Sequence, residues 1–362
     1  ENFKRVPSVD ADIQIAPAEG FDAQPGDSDL VITWKQAFPF RITLSADDAG
    51  SETTGKYQGS VTVSYDDWWA LNDLFYVSFN RDIGRSDDHG KGTRGYTAHY
   101  EVPYRYWLLG FTASGYDYRQ RVAGANQTYV YRGSAENAEV RLSRLVYRDA
   151  VRKTSAYVAG WLRNSHNYID DTEIEVQRRR MAGWELGVTH REFIAAAIFD
   201  TRIGYRRGTG MLSALAAPEE LFGEGTSRSA LIVADAQLNV PFGISKQRFR
   251  YAASWRAQWN RTPLVPQDRF QIGGRYTVRG FDGESTLLGE RGWLLRNDLG
   301  WTIGRTGQEL YLGVDYGEVS GPSTPQLIGT RLAGAVVGVR GGYKHFMWDL
   351  FAGRPLSKPD GF

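Results

Sequence analysis

An arginine in a glycine-rich segment is the residue of this chain best suited to a specific chemical role. It belongs to a run of four residues, Val278, Arg279, Gly280 and Phe281, that follows the glycine pair 273–274. Glycine permits a tight backbone path, and a buried arginine requires a carboxylate that it can contact with two donors. Taken alone, the run predicts either an arginine paired with a carboxylate or a solvated arginine in an ordinary glycine-rich hairpin.

Charged residues that could face this arginine occur on the polar sides of strand-like segments. Asp315 lies on the polar side of the alternating segment 310–315. Successive side chains of a strand point to opposite faces, so polar residues at alternate positions share one face. The other polar side chains predicted to face the same interior are Arg250, Arg256, Arg296, Asp298 and Asp349.

The sequence lacks the groupings that catalysis or metal binding requires. It has no cysteine and no Gly-x-Ser-x-Gly elbow, and its five histidines are scattered without ligand spacing: His89, His99, His166, His190 and His345. A net charge of +1 is too small for a strongly basic nucleic-acid binder. We therefore predict no enzyme, no catalytic residue, no metal, no cofactor and no nucleic-acid partner.

Apolar and polar side chains alternate along most of the chain. Between Phe249 and Trp259, every second residue is apolar or aromatic and most of the others are polar. A soluble β-sandwich alternates too, but aromatic residues make up 13% of this chain and concentrate near the predicted strand ends, like the girdles of a membrane barrel. No apolar run approaches the ~18 residues of a membrane helix. The pattern favours an all-β, transmembrane antiparallel β-barrel.

The connections between predicted strands alternate in length, as they do between the two ends of an outer-membrane barrel. Residues 103–105 and 304–307 are predicted to be short turns. Residues 204–227 and 261–292 are predicted to be long loops, and 116–132 is predicted to be a loop as well.

Strand number predicts that the barrel continues beyond this chain. We count about fifteen strands from Pro39 onward, and residues 357–362 lack alternation and are predicted to be a loop. Single-chain bacterial barrels have an even number of strands, because an odd number leaves an unpaired edge in lipid. The intact protein is therefore expected to have sixteen strands, the last lying outside this sequence.

The Val278–Phe281 run and Asp315, in this order and flanked by these strands, resemble two motifs of the two-partner-secretion outer-membrane transporters. The segments 147–149, 167–171 and 353–356 also resemble this family, in the same order. The resemblance implies that the loop carrying Arg279 folds into the barrel lumen and that Arg279 pairs with Asp315 on the wall. It also implies that residues 1–37 are the tail of a periplasmic POTRA domain and residues 38–362 the outer-membrane barrel.

The resemblance further implies a function in secretion. The protein would export one large, β-helical exoprotein, unfolded during transit, across a Gram-negative outer membrane, and the loop would gate its passage. POTRA strands would capture the exoprotein by β-augmentation. We expect a monomer surrounded by outer-membrane lipids, and the arginine run 178–180 makes lipopolysaccharide a further candidate partner.

Two alternative functions stay open. One is a barrel assembly or translocation factor of the same superfamily, which would share the arginine loop but insert barrels into the membrane. The other is a passive diffusion porin, which needs neither a Val-Arg-Gly-Phe loop nor a POTRA tail.

Overall fold

The computed structural model describes residues 5–18, 24, 26–84 and 91–362, and the statements below concern these residues. His89 lies outside the described residues. So do positions 1–4, 19–23 and 25 of the predicted POTRA segment.

Twenty β-strands make up most of the described chain. In order they are β1 (Val9–Pro17), β2 (Ser28–Gln36), β3 (Phe40–Asp47), β4 (Gln58–Asp66), β5 (Leu74–Asp82), β6 (Gly92–Tyr104), β7 (Trp107–Ala123), β8 (Thr128–Arg148), β9 (Arg152–Ile169), β10 (Thr172–Glu173), β11 (Arg179–Ile194), β12 (Ala197–Thr209), β13 (Ala230–Ile244), β14 (Gln247–Asn260), β15 (Phe270–Ile272), β16 (Leu287–Gly289), β17 (Arg291–Thr302), β18 (Glu309–Ser320), β19 (Arg331–Tyr343) and β20 (Phe346–Ser357). Within the described ranges, four short 3-10 helices lie in the connections, at Glu175–Gln177, Pro218–Phe222, Pro266–Asp268 and Thr324–Gln326. None of the helices in this part of the chain has the length and apolar character needed to span a membrane.

One antiparallel sheet contains sixteen of these strands. Fifteen follow one another in the order β20-β19-β18-β17-β14-β13-β12-β11-β9-β8-β7-β6-β5-β4-β3, and the two-residue β10 pairs with β9 beside that path. Apart from the short inserts β10, β15 and β16, neighbours in space are neighbours in sequence, as in an up-and-down barrel made of hairpins. The prediction of an all-β antiparallel barrel with about fifteen strands in this chain is confirmed.

The two faces of this sheet differ in chemistry. Leu186, Ile203 and Leu312 are 50%, 57% and 61% exposed on the outer face. Their sequence neighbours Glu185 and Arg202 point inward, because the side chains of a strand alternate between faces. A strand that is apolar outside and polar inside is suited to lipid on one side and water on the other.

The predicted loop at 116–132 is wrong. β7 continues to Ala123 and β8 begins at Thr128, and the two strands stay paired to the Ala123–Thr128 pair. The rings of Tyr118 and Tyr131, 6.0 Å apart, pack across this extension. The segment does alternate, with Tyr116 on one side and Asp117 on the other, but its charged residues and Gly124 are also typical of a loop. The predicted loop 204–227 is likewise too long, because β12 extends to Thr209.

The strand order has two ends, β3 and β20. β20 ends at Ser357, and residues 358–362 form no strand, as predicted. A further strand between β3 and β20 remains a prediction.

A small sheet precedes the barrel. β1 pairs with β2 along its whole length. The segment before β1 is bound to the barrel end that carries the β4–β5 turn. Arg5 forms an ion pair with Glu101 and donates to the carbonyl of Asn72 at 2.8 Å, and the backbone N–H of Ser8 donates to Asp66 at 2.8 Å. These contacts fix the entry of the chain into the barrel, whereas the assignment of this sheet to a POTRA domain remains a prediction.

The connection between β14 and β17, residues 261–290, folds back into the barrel, and we call it the lumenal loop. Within it β15 pairs with β16. Its apolar side chains pack against inward-facing residues of β17, β18 and β19 in one buried cluster: Phe270, Ile272, Val278, Leu287, Leu294, Val319 and Leu332. This packing excludes water from one side of the lumen and fixes the body of the loop.

We predict that Leu186→Arg destabilises the barrel by about 2–4 kcal/mol, the cost of an arginine facing mid-membrane lipid. Leu186 lies near the middle of β11 on the outer face. The free energy of unfolding in a lipid bilayer measures the effect. Leu186→Phe, the matched apolar control, should change stability by less than about 1.5 kcal/mol. Equal stability of the two variants would show that this face does not contact lipid.

Candidate functional site

Arg279 of the lumenal loop contacts Asp315 of β18 through three hydrogen bonds. Its Nε donates to Oδ2 at 2.7 Å, its Nη2 donates to Oδ1 at 2.7 Å, and its backbone N–H donates to Oδ2 at 2.9 Å. Both side chains are buried, with 4% and 1% of their surface exposed. Because both the side chain and the backbone of Arg279 take part, the contact fixes the loop in position and orientation.

A second wall carboxylate shares the same guanidinium. Arg279 Nη2 donates to Asp298 Oδ1 at 2.6 Å, and Asp298 Oδ2 accepts from Arg340 Nη1 at 3.1 Å. Arg340 also donates to Glu309 at 2.7 Å, and Glu309 accepts from Arg250 at 2.8 and 2.9 Å. Charges thus alternate through the network, as burial of ionised groups requires.

Tyr311 connects this network to β20. Its ring lies 4.3 Å from the guanidinium carbon of Arg340, and its hydroxyl donates to Asp349 Oδ1 at 2.8 Å. The side chain is almost fully buried. Asp349 is therefore joined to the network through a neutral donor, and a cation–π contact holds Arg340 in place.

Glycines make room for the loop tip at the wall. A Cβ on Gly334 would lie 1.8 Å from the carbonyl oxygen of Arg279, and one on Gly353 would lie 3.1 Å from the backbone N of Gly280. We call these two wall positions the glycine notch. Gly280 has φ +99°, and a Cβ there would lie 2.5 Å from the carbonyl oxygen of Arg354. The tip can reach Asp315 only because β19 and β20 present no side chains at these points.

The other two residues of the run supply apolar anchors. Val278 is fully buried in the cluster under the loop. Phe281 packs against the same cluster, and its ring centroid lies 5.5 Å from that of Phe362 in an edge-to-face arrangement. The four residues therefore fix the tip in different ways. Val278 and Phe281 make apolar contacts, Arg279 makes the charged contact, and Gly280 forms the left-handed backbone turn.

Comparison with known proteins identifies the family. The family model described as "Haemolysin secretion/activation protein ShlB/FhaC/HecB" matches residues 26–341. The chain belongs to this family. Relatives in Burkholderia pseudomallei and Dickeya dadantii are named outer membrane transporters, and this ShlB-family chain is an outer-membrane protein.

Individual relatives agree with that membership. Outer membrane transporter CdiB-2 of Burkholderia pseudomallei (strain 1026b) is 37% identical over 366 residues, covering 100% of this chain and 62% of the relative. The structure of CdiB from Acinetobacter baumannii has a TM-score of 0.86 and 33% identity, covering 99% of this chain and 64% of that one. CdiB from Escherichia coli, at 22% identity, shares the fold with a TM-score of 0.88 over 99% of this chain and 66% of its own. The chain spans less than two thirds of each of these relatives.

Two of the predicted interior residues lie outside the network of hydrogen bonds around Arg279. Arg256 forms an ion pair with Asp235 of β13, with Nε and Oδ1 3.5 Å apart. Arg296 lies beside the network, its Nε 3.8 Å from Asp315 Oδ2. The other predicted residues, Arg250, Asp298, Asp315 and Asp349, all belong to the connected group.

The arginine run 178–180 is tied to the protein itself. Arg178 donates to Glu173 at 2.8 and 2.5 Å, and Arg180 Nε donates to the carbonyl of Leu212 at 3.0 Å. Arg179 is buried and forms an ion pair with Glu219. The run therefore braces the connection between β12 and β13, and contact with lipopolysaccharide remains a prediction. Hydrogen bonds from Arg178 and His166 stabilise the ionised carboxylate of Glu173 and lower its pKa to about 2.

The lumenal loop has a second polar anchor that sequence reasoning missed. Asp268, in the 3-10 helix Pro266–Asp268, accepts from Arg163 Nη1 of β9 at 2.8 Å and from Ser229 Oγ at 3.3 Å. Its backbone carbonyl accepts from Gln258 at 2.8 Å. This anchor ties the first limb of the loop to β9 and β14. Sequence reasoning also missed Arg340, Glu309 and Tyr311.

We predict that Gly334→Ala displaces the loop tip, because the new Cβ would overlap the Arg279 carbonyl at 1.8 Å. The lost charged hydrogen bonds should lower the free energy of unfolding by about 1–3 kcal/mol, measured in a lipid bilayer. Gly160→Ala is the matched control: it lies on β9, and a Cβ there meets no atom within 4 Å. A Gly334→Ala variant as stable as that control would show that the tip does not need the notch.

Proposed function

We propose that this chain forms the conduit of a transporter that passes a secreted exoprotein, unfolded during transit, from the periplasm to the cell surface. The observation that carries the proposal is a long loop inside the barrel whose tip is held by one buried arginine. The loop packs inside the lumen through which a substrate would pass, so we infer that passage requires the loop to move. Membership of the ShlB family supports an exoprotein as the substrate.

The energetics of the Arg279–Asp315 contact suit a displaceable loop. Removing one partner of a buried ion pair costs about 3–5 kcal/mol, because the other charge stays buried and unpaired. Moving the whole tip away instead returns both charges to water, and their hydration offsets most of the lost attraction. The pair is therefore specific for one loop position without locking the loop irreversibly.

The rest of the inner wall suits the transit of an unfolded chain. Paired charges line it on β11, β12 and β13: Arg206 lies 2.8 Å from Glu185, and Arg202 lies 2.7 Å from Asp235. Such a wall holds water and gives an unfolded chain polar surface over which to pass. Because the charges already have partners, their attraction for a passing segment is weak.

The remaining steps follow from the family resemblance. We assign residues 1–37 to the tail of a POTRA domain, which would capture the exoprotein by pairing strands with it. Residues 38–362 would form the barrel, closed by one further strand between β20 and β3 and acting as a monomer in lipid. Folding of the exoprotein outside the cell would make export irreversible. Family membership favours this function over a passive porin and over a barrel assembly factor.

We predict that Arg279→Ala reaches the outer membrane at normal levels but loses secretion. Without the arginine the tip leaves its site at the wall more often, but Phe270, Ile272 and Leu287 still fix the body of the loop in the lumen. The loop then obstructs the path without a defined position of its tip. Asp315→Asn should behave alike, and the double variant should be scarcely worse than either single one, with a coupling of about 0.5–3 kcal/mol in a double-mutant cycle.

Exoprotein release and outer-membrane levels are measured together in these variants. Arg275→Ala is the matched control, because this arginine of the same loop pairs with Asp48, whose side chain is 60% exposed, and exposed pairs contribute little. Normal release from well-assembled Arg279→Ala would refute the role of the arginine, and additive effects at 279 and 315 would show that the two residues do not act as a pair.

A further inference from the structure

Arg296 is the wall arginine next to Asp315 that makes no hydrogen bond to it. The two residues face each other directly across the β17–β18 pairing. Arg296 Nε lies 3.8 Å from Asp315 Oδ2, beyond hydrogen-bond distance, and its side chain is 28% exposed. All three hydrogen bonds that Asp315 accepts from the described residues come from Arg279. The loop thus occupies the carboxylate that β17 would otherwise pair.

Displacement of the loop affects the two wall carboxylates differently. Asp298 keeps its bond to Arg340 at 3.1 Å, which is a contact within the wall. Asp315 loses every one of these bonds at once, because they all come from the loop. Hydration offsets most of this loss but not all of it, so an Asp315 carboxylate without a partner at the wall raises the free energy of the open state.

Arg296 has both the reach and the room to replace Arg279. Directly opposite residues on neighbouring antiparallel strands have Cβ atoms about 4.5–5.5 Å apart, which is well within the length of an arginine. Arg296 borders a cavity of about 380 Å³ that also reaches Arg279, Asp298 and Ser254. A small rotation of the guanidinium would bring it to Asp315 without any movement of the strands.

We propose that Arg296 is a positioning residue that takes over Asp315 when the lumenal loop leaves, so that an ion-pair exchange stabilises the open state. This inference rests on the proposed function, since it concerns the same loop movement. The closed state pairs Asp315 with the loop, and the open state pairs it with the wall. Arg296 thereby lowers the free-energy difference between the two states without touching the substrate.

The test measures loop displacement directly. The chain contains no cysteine, so Val278→Cys places a single thiol at a site that is 0% exposed while the loop is seated. The full-length protein carrying this thiol, with any cysteine outside this chain replaced by serine, is reconstituted in liposomes. The rate of labelling by a water-soluble maleimide then reports how often the tip leaves. Arg296→Gln should slow labelling by about fivefold or more. Arg256→Gln, the matched wall arginine paired with Asp235, should leave the rate unchanged.

A second prediction distinguishes the exchange from a merely structural role of Arg296. In the Asp315→Asn background there is no carboxylate to exchange, so Arg296→Gln should have no further effect on the labelling rate. The proposed exchange is wrong if Arg296→Gln is labelled as fast as the parent protein or faster. It is also wrong if Arg296→Gln slows labelling equally with Asp315 and with Asn at 315. If Arg296→Gln fails to assemble, Arg296→Lys replaces it: the ammonium keeps the charge but not the paired donors, so labelling should still slow, and an unchanged rate overturns the proposal.

Failure of the proposed function gives a different result. Arg279→Ala removes the closed-state contact and should raise the labelling rate of Cys at 278. If Arg279→Ala labels faster but Arg296→Gln is unchanged, the exchange alone is wrong. If labelling responds to neither variant, loop displacement itself is wrong.

Discussion

The structure depends on one constraint: the guanidinium of Arg279 is buried inside a barrel and cannot stay there without carboxylates. Asp315 and Asp298 supply them from two neighbouring strands. Those strands can do so only if β17 and β18 keep a register that turns both aspartates inward. A shift of one residue would turn them to the lipid, where an unpaired carboxylate is far more costly.

The same constraint accounts for features of the wall that otherwise have no evident purpose. Arg340 and Arg250 carry the positive charges that balance Glu309 and Asp298, so the wall is neutral on that side. The glycine notch lets the backbone of the tip approach β19 and β20. The apolar cluster beneath Val278 keeps water from competing for the guanidinium, which strengthens each of its bonds. Charge, shape and apolar packing therefore specify a single resting position of the loop.

Much of the fold can be predicted from the sequence, because a barrel strand in lipid must alternate. The alternation predicts about fifteen strands and places Asp315 and Asp298 on the inner face. The prediction of a loop at 116–132 fails, because the charged residues and Gly124 of that segment are typical of a loop although its side chains alternate and β7 and β8 continue through it. The contact of Arg279 with Asp315 can be predicted only from the family resemblance, because the local sequence indicates a candidate arginine and several candidate carboxylates but not which of them pair. Contacts such as Arg163 with Asp268 and the position of Gly334 beneath Arg279 depend on which strands meet across the lumen. That is set by register and barrel closure, which no short segment encodes.

A reversible covalent tether between loop and wall tests the central claim most directly. A Cβ on Gly317 would lie 2.8 Å from Cγ2 of Val278, so Val278→Cys with Gly317→Cys places two thiols within disulfide range in a chain that otherwise has none. Exoprotein release is measured with the disulfide formed and after its reduction in the same cells. The account predicts that the oxidised protein assembles but does not secrete, and that reduction restores release. Undiminished secretion with the disulfide intact would contradict it, because the exoprotein would then pass while the loop stays seated.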